Sequence, residues 1–254
     1  MILKSYFDGG NQADSLQYDR ITLATVCGMS EQWGNFAPAW NRVLGKHKAE
    51  FLHTTDAVSL NKEFAKKNGW EKTSVDAFID DCVGVIERGI TRGLFPVTLT
   101  IRLDDFLRAR QTNPELLPNT VEDICATESL SFCFKRGRVT GAESYQLYFD
   151  QGEPFYGHIY DRLHNKKSKR DIAFMQKIGH LGESDMRLVP ALQVADLFAW
   201  CSNHHDNVSR DWHRRLNALR WQSLFLDYDL LIKPMPKAIE MSRSWNLPRR
   251  RPTL

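Results

Sequence analysis

Short runs of apolar and β-branched residues alternate along the chain with longer stretches whose apolar positions recur at helical spacing. Runs of the first kind, bounded by glycine, proline or polar turn residues, are typical of strands. They occupy residues 2–7, 20–29, 94–101, 144–150 and 172–181. The first two are joined by a polar loop over 11–19, so we expect them to pair as a hairpin. Gly9-Gly10 predicts a turn directly after the first strand, and Pro96 indicates the edge or the start of the third.

Amphipathic stretches predict the helices, and most of them open with a capping residue or a proline. The predicted helices begin at Ser30, Ser74, Thr120, Phe155 and Pro190. Pro38 is expected to limit the first turn of the first helix, and the second helix ends near Gly89. Residues 105–119 are interpreted as a polar excursion, whereas the pattern from Trp212 onward favours helix.

Strands and helices alternate without an internal repeat or a sharp change of composition, which favours one α/β domain over residues 1–245. Residues 246–254 are rich in proline and arginine and are expected to form a loose basic tail. No run approaches the roughly 18 apolar residues of a membrane span, and the N-terminus lacks a signal-peptide pattern. The 5 cysteines are scattered without a Cys-x-x-Cys pair. We therefore expect buried free thiols, no structural zinc site and a cytoplasmic location.

The basic residues are clustered although the formal net charge is only +3. Clusters lie at 135–138, 166–170, 210–215 and 249–251. Such clusters are commonly solvated surface, but they are also what binds a phosphate backbone without reading its sequence. The densest cluster contains Lys166, Lys167, Lys169 and Arg170, which we consider as candidate nucleic-acid-binding residues.

Three aspartates each end or interrupt a hydrophobic element. Asp8 and Asp150 stand at the ends of two predicted strands, and Asp196 lies on the largely apolar helix after Pro190. Strand-end aspartates are ordinary turn residues, but a carboxylate on an apolar helix face needs a cation, a partner or a raised pKa. Acids from separate elements form the oxygen-rich sites that Mg²⁺ and Mn²⁺ prefer. A salt bridge to a distant arginine remains open for Asp196.

Further candidates lie outside these three positions. His53 and Asp56 are close enough in sequence to share a site as ligands or as a proton relay, although an isolated histidine is more often structural. Adjacent histidines point to different faces of a helix, so the His204-His205 pair favours an exposed helix end over a zinc site. Acidic residues kept in reserve for the site are Glu153, Asp104 and Asp161. The sequence contains no P-loop, GxSxG or GxGxxG motif.

Four of these segments together resemble one protein family. The segments FDGG, FLHTTDA, LYFDQG and LQVADLFAW are similar to motifs of the bacterial and phage family called domain of unknown function 3800. The resemblance covers roughly residues 3–203, and its most specific part is the Gln-x-Ala-Asp match that ends at Asp196. In this chain Gly9 and Gly10 stand where the family often has glutamate and serine, which removes one potential ligand.

The resemblance implies a ribonuclease H-like fold, with a mixed central sheet flanked by helices and helical insertions. It implies that Asp8, Asp150 and Asp196 hold Mg²⁺ or Mn²⁺, with His53 and Asp56 as the middle segment of the site. The implied activity is hydrolysis of DNA or RNA phosphodiester bonds that leaves a 3′-hydroxyl, in mobile elements or phage defence. A protein partner or a homo-oligomer is compatible with such a role.

Two other functions stay open at this stage. A catalytically inactive ribonuclease H-like protein could bind nucleic acid or a protein partner, and Gly9 in place of the family acid favours it. A phosphatase-like metal hydrolase acting on a small substrate would use the same acids without the basic clusters. Fold alone does not decide among them, because one fold hosts many functions.

Overall fold

The computed structural model describes residues 1–10, 19–165, 175–204 and 210–233. In these residues the chain forms a mixed six-stranded sheet flanked by helices, so the α/β prediction is confirmed. The strands are β1 (Ile2–Gly10), β2 (Arg20–Met29), β3 (Phe95–Arg102), β4 (Ser144–Asp150), β5 (Ile178–Ser184) and β6 (Gln222–Leu226). Their order across the sheet is β5-β4-β1-β2-β3-β6.

The direction of the strands changes across the sheet. β1 and β2 pair antiparallel, as the sequence predicts for the hairpin, and β3 joins β2 antiparallel. β4 lies parallel to β1, β5 lies parallel to β4, and β6 lies parallel to β3. β1 is therefore central, and its carboxyl end lies beside the carboxyl end of β4.

The helices cover both faces of the sheet. They are α1 (Ser30–His47), α2 (Thr54–Val58), α3 (Lys72–Thr91), α4 (Leu103–Thr112), α5 (Val121–Thr140), α6 (Pro154–Asn165), α7 (Pro190–Asn203), α8 (Asp211–Asn217) and α9 (Tyr228–Leu231). One core cluster packs α1, α3 and α7 against one face, with Trp40, Phe78 and Phe198 buried in it. The second cluster packs α5 and α6 against the other face. These two apolar cores fix the sheet between the helices.

The chain does not turn at Gly9 and Gly10, and this sequence prediction is wrong. Both glycines remain in β1, where Gly9 pairs with Leu23 and Gly10 with Thr22. The lack of a side chain matters for packing instead, because a Cβ on Gly10 would collide with the side-chain amide of Asn203. The glycines therefore let α7 and neighbouring residues approach the strand closely.

Other element predictions also need correction. Pro38 lies inside α1 rather than limiting its first turn, because burial of Trp33, Phe36, Trp40 and Leu44 on one face stabilises the full helix. The excursion predicted at 105–119 contains most of α4, which buries Phe106 and Ala109. The helical pattern read from Trp212 gives way at Gln222 to β6, an edge strand paired with β3.

Several remaining predictions concern thiols, membranes and the tail. All five cysteines are free and buried, as predicted. No helix in the described ranges is long and apolar enough to cross a membrane. The predicted basic segment with Lys166, Lys167, Lys169 and Arg170, and the tail at 246–254, lie outside the described residues.

Candidate functional site

Two of the predicted acids lie side by side near the carboxyl ends of neighbouring strands. Phe7 of β1 pairs in register with Phe149 of β4, so the next residues along each strand are Asp8 and Asp150. Both phenylalanines belong to the core beneath α5 and α6. Because successive side chains alternate between the faces of a strand, Asp8 and Asp150 point to the opposite face, which α7 covers. Parallel strands thus bring two carboxylates to one edge of the sheet.

Helix α7 brings the third acid to the same place. α7 packs across β1 and β2, and its Asp196 is only 7% exposed. The carboxylate Oδ2 of Asp196 accepts a hydrogen bond of 2.6 Å from the backbone N–H of Thr54. No described lysine or arginine forms an ion pair with Asp196, so the distant salt bridge left open by the sequence is absent from this part of the chain.

A cleft of about 400 Å³ opens where these elements meet. Its walls include the carboxylates of Asp8, Asp150, Glu153 and Asp196 together with the imidazole of His53. The cleft therefore gathers acids from β1, from the end of β4, from the turn after it and from α7. These residues are up to 188 positions apart in the chain (196 − 8), and the fold alone brings them together.

Burial and mutual repulsion shape the electrostatics of the cleft. Burial raises the pKa of Asp8 well above its ordinary value, and the charges of Asp196, Glu153 and Asp150 raise it further. Burial is also the largest cause of the raised pKa of Asp150, Glu153 and Asp196. Backbone N–H groups oppose this shift: Met186 donates to Asp150 at 2.9 Å, and Gly9 donates to Glu153 at 2.9 Å. The cleft thus disfavours ionisation of its four carboxyl groups unless a cation neutralises them.

The donor set fits a hard divalent cation in its chemistry. Carboxylate oxygens are the ligands that Mg²⁺ and Mn²⁺ prefer. In this structure, however, the side chains are too far apart to hold one ion: the described residues contain no group of three or more histidine, cysteine or acidic side chains close enough to share a metal. Asp150 and Asp196 each accept a backbone hydrogen bond instead. Asp8 differs, because it is 6% exposed and accepts no hydrogen bond from any described residue.

His53 and Asp56 form a pair at the rim of the cleft. His53 Nδ1 lies 2.7 Å from Asp56 Oδ2, and Lys62 Nζ lies 3.0 Å from the same oxygen. Of the two, His53 lines the cleft while Asp56 stands behind it. With Nδ1 engaged by Asp56, Nε2 is the ring nitrogen left to exchange a proton. The sequence neighbours therefore share one site, in which Asp56 orients the imidazole.

Gln193 ties the parts of the site together, and sequence reasoning assigned it no role beyond a motif match. Its Oε1 accepts hydrogen bonds from Trp40 Nε1 at 2.7 Å and from the backbone N–H of Leu52 at 3.0 Å. Its Nε2 donates to the carbonyl oxygen of Met186 at 3.0 Å. Leu52 precedes His53, and the N–H of Met186 binds Asp150. A glutamine on an otherwise apolar helix indicates such a role, because a buried amide needs hydrogen-bond partners.

Some of the other candidate residues from the sequence line the cleft, and others lie away from it. Glu153, kept in reserve, lines the cleft, whereas the reserve residues Asp104 and Asp161 are exposed on α4 and α6. His204 ends α7 and stacks on Trp200 at 4.1 Å between ring centroids, and both rings line the cleft. His205 lies outside the described residues.

Comparison of this chain with protein-family models, with curated proteins and with solved structures finds no match. The family assignment therefore stays a resemblance carried by four short motifs. Function has to be argued from the residues of the cleft.

Proposed function

We propose that this protein is a metal-dependent nuclease of ribonuclease H-like fold that hydrolyses phosphodiester bonds in DNA or RNA. The observation that carries the proposal is the convergence of Asp8, Asp150 and Asp196 on one cleft without an ion pair to a described lysine or arginine. The mixed sheet supports the fold, because the acids come from its first strand, a later strand and a late helix, as the resemblance implies.

Asp8, Asp150 and Asp196 would hold Mg²⁺ or Mn²⁺. When bound, the metal supplies Lewis-acid stabilisation of the negative charge that develops on the phosphate during hydrolysis. The buried surroundings of Asp8 and Asp196 strengthen this electrostatic effect, because burial reduces screening by water. The cleft itself repels phosphate while its carboxylates are charged and unneutralised, so nucleic acid would bind productively only together with the cation.

His53 would move the proton that the reaction requires. Water adds to phosphorus and gives up one proton to the solvent, the bond between phosphorus and the 3′ oxygen breaks, and the leaving oxygen takes up a proton from His53, which solvent then reprotonates. The His53 imidazole lines the cleft and is oriented at Nδ1 by Asp56 at 2.7 Å, so Nε2 would donate that proton. The product ends are then a 3′-hydroxyl and a 5′-phosphate.

Cleavage of end-labelled single-stranded DNA, duplex DNA, RNA and RNA–DNA hybrid in Mg²⁺ or Mn²⁺ tests the proposal. Asp196→Asn keeps the shape of the side chain and an oxygen for the Thr54 N–H but removes the charge. We expect its cleavage rate to fall by at least about 100-fold, because ligand-shell changes cost metal sites tenfold to 100-fold or more. Asp161→Asn, exposed on α6, is the matched control. Unchanged cleavage by Asp196→Asn would refute the assignment.

A catalytically inactive ribonuclease H-like protein that binds nucleic acid or a partner is the second candidate. It is favoured by one observation: no three potential metal ligands among the described residues are gathered around a common point. Calorimetry with Mn²⁺ separates the two functions. An inactive protein would bind no Mn²⁺ in a manner that depends on Asp8, whereas the proposed nuclease would.

A further inference from the structure

Gly9 of β1 has no side chain, and the carboxylate of Glu153 occupies the space beside it. A Cβ atom built on Gly9 would lie 2.6 Å from Oε1 of Glu153, closer than real Cβ contacts. The backbone N–H of Gly9 donates to the other oxygen of Glu153, Oε2, at 2.9 Å. The Glu153 carboxylate therefore stands where a side chain of residue 9 would begin.

The turn after β4 holds Glu153 in that position. The N–H of Glu153 donates to the carbonyl oxygen of Asp150 at 3.2 Å, which closes the turn. The N–H of Phe155 donates to Oε1 of Glu153 at 3.3 Å, and the Phe155 ring fills the rest of the space beside Gly9. Two backbone N–H groups thus hold the carboxylate, and Glu153 lines the same cleft as Asp8 and Asp150.

Asp8 provides an independent sign that this cleft takes a cation. It is 94% buried (100 − 6), it lines the cleft, and no described residue donates a hydrogen bond to it. A buried carboxylate without a partner is costly. The charged groups that face it include Asp196, Glu153 and Asp150, all of the same sign. A cation is the ligand that would satisfy all four groups.

We propose that Glu153 is a fourth carboxylate ligand of the divalent cation, supplied by the turn after β4 at the position that Gly9 leaves open on β1. This inference rests on the proposed function, since it concerns the same cleft. It also explains the glycine at residue 9, because any side chain there would displace the Glu153 carboxylate.

A purely structural role for Glu153, as an acceptor for the Gly9 N–H, needs a matched control. Glu183 provides it, because its Oε1 accepts a hydrogen bond of 2.8 Å from the backbone N–H of Gly152 near the same end of the sheet. Glu183 does not line the cleft. Glu153→Gln and Glu183→Gln each keep an oxygen acceptor and remove one charge, so a structural role would affect both alike.

Isothermal titration of the full chain with Mn²⁺ tests the inference. Glu153→Gln is expected to raise the Kd for Mn²⁺ by at least about tenfold, as loss of a ligand or of its support does in metal sites. Glu183→Gln is expected to stay within about twofold of the unaltered protein, since it adds no ligand. Glu153→Asp restores the charge and is expected to bind more tightly than Glu153→Gln. Circular dichroism confirms that each variant is folded.

The outcomes separate this inference from the proposed function. If the unaltered protein binds Mn²⁺ and Asp8→Asn abolishes binding, but Glu153→Gln binds like the unaltered protein, then Glu153 is not a ligand while the nuclease proposal stands. If the unaltered protein shows no Mn²⁺ binding that depends on Asp8, the proposed function itself fails. Equal losses in Glu153→Gln and Glu183→Gln would assign Glu153 a structural role only.

Discussion

Asp8 is under electrostatic strain in the metal-free protein. Its carboxylate is buried beside three other acids, and both burial and their charges raise its pKa. A raised pKa in the folded state means that the ionised form is less stable there than in the unfolded chain. The residue is therefore expected to lower stability at neutral pH, as a cation ligand without its cation would.

Replacement of Asp8 by asparagine is expected to stabilise the metal-free protein. The substitution keeps the shape and removes one of four like charges, so we expect a gain of about 1 kcal/mol, or roughly 2–4 °C in Tm. Thermal unfolding in EDTA at pH 7 measures it, with Asp161→Asn as the exposed control. Added Mn²⁺ should raise the Tm of the unaltered protein and not that of Asp8→Asn. A lower Tm for Asp8→Asn in EDTA would contradict this account.

Residue types could be read from the sequence more readily than residue contacts. Asp8 and Asp150 are visible because each ends an apolar run, and Asp196 because it interrupts an apolar helix. The contact between Gly9 and Glu153 is not visible, because 144 residues separate them and no local pattern encodes their approach. In the sequence, glycine at residue 9 indicates a turn. In the structure, a side chain at this position would collide with the Glu153 carboxylate.

At the scale of elements, Gln193 joins three segments that carry site residues. One amide connects α1, the segment that leads to His53 and the turn that contacts Asp150. Each bond satisfies a buried polar group that would otherwise be unpaired. Removal of the amide therefore leaves several orphaned donors and acceptors in the core.

Gln193→Ala is expected to lower the free energy of unfolding by roughly 2–4 kcal/mol, because each unsatisfied buried group costs about 1–3 kcal/mol. Urea unfolding monitored by tryptophan fluorescence measures the loss. Gln146→Ala serves as control, since Gln146 accepts one hydrogen bond of 2.9 Å from Tyr148 in a half-buried setting. Equal losses in the two variants would show that Gln193 does not connect the elements.

The contact between α1 and α3 predicts a pH dependence of stability. His47 Nε2 and Lys46 Nζ of α1 each lie 2.6 Å from Asp81 Oδ2 of α3. The hydrogen bond from His47, followed by that from Lys46, lowers the pKa of Asp81 below its ordinary 3.8. A lowered folded-state pKa means that the contribution is present above pH 3.8 and is lost as pH falls through the lowered value.

Asp81→Asn should therefore reduce stability at pH 7 by about 0.5 kcal/mol, since its side chain is partly exposed and screened. The difference from the unaltered protein should shrink as pH falls toward 3, which urea unfolding across this range would measure. A difference that stays constant with pH would show that the carboxylate charge does not stabilise the α1–α3 contact.

Elements in which the apolar residues follow one clear helical or strand periodicity were predictable from the sequence. Elements with a mostly polar or an ambiguous pattern were not. β2 follows from its run of apolar and β-branched residues, and the start of α5 follows from Thr120, whose side chain caps the helix. α4 is mostly polar and is held by Phe106 and Ala109. β6 is short, and its pairing with β3 outweighs the helical spacing of its leucines.

At the scale of the whole molecule, the proposed function assigns separate roles to the acidic cleft and to the basic clusters. The cleft would hold the cation, and the basic clusters would supply affinity for the phosphate backbone. Clusters at 166–170 and 249–251 lie outside the described residues, so their contribution is a prediction from sequence. Charge-driven binding of this kind depends on salt and carries no sequence preference.

The double substitution Lys166→Gln with Lys167→Gln is expected to weaken binding of duplex DNA and to reduce the slope of log K against log salt by roughly 1.8. Fluorescence anisotropy in Mn²⁺ at several salt concentrations measures it. The Kd for Mn²⁺ should be unchanged, because a lysine ammonium group carries a positive charge and does not bind a metal cation. An unaltered slope would show that this cluster does not contact phosphate.

The central claim is that Asp8, Asp150 and Asp196 hold a divalent cation together. Anomalous diffraction from a crystal soaked in Mn²⁺ tests it most directly, because the signal locates the ion. We predict a peak inside the cleft within coordination distance of all three carboxylates, about 2.0–2.3 Å from their oxygens. A peak elsewhere, or density in which the three carboxylates remain apart in Mn²⁺, would contradict the claim.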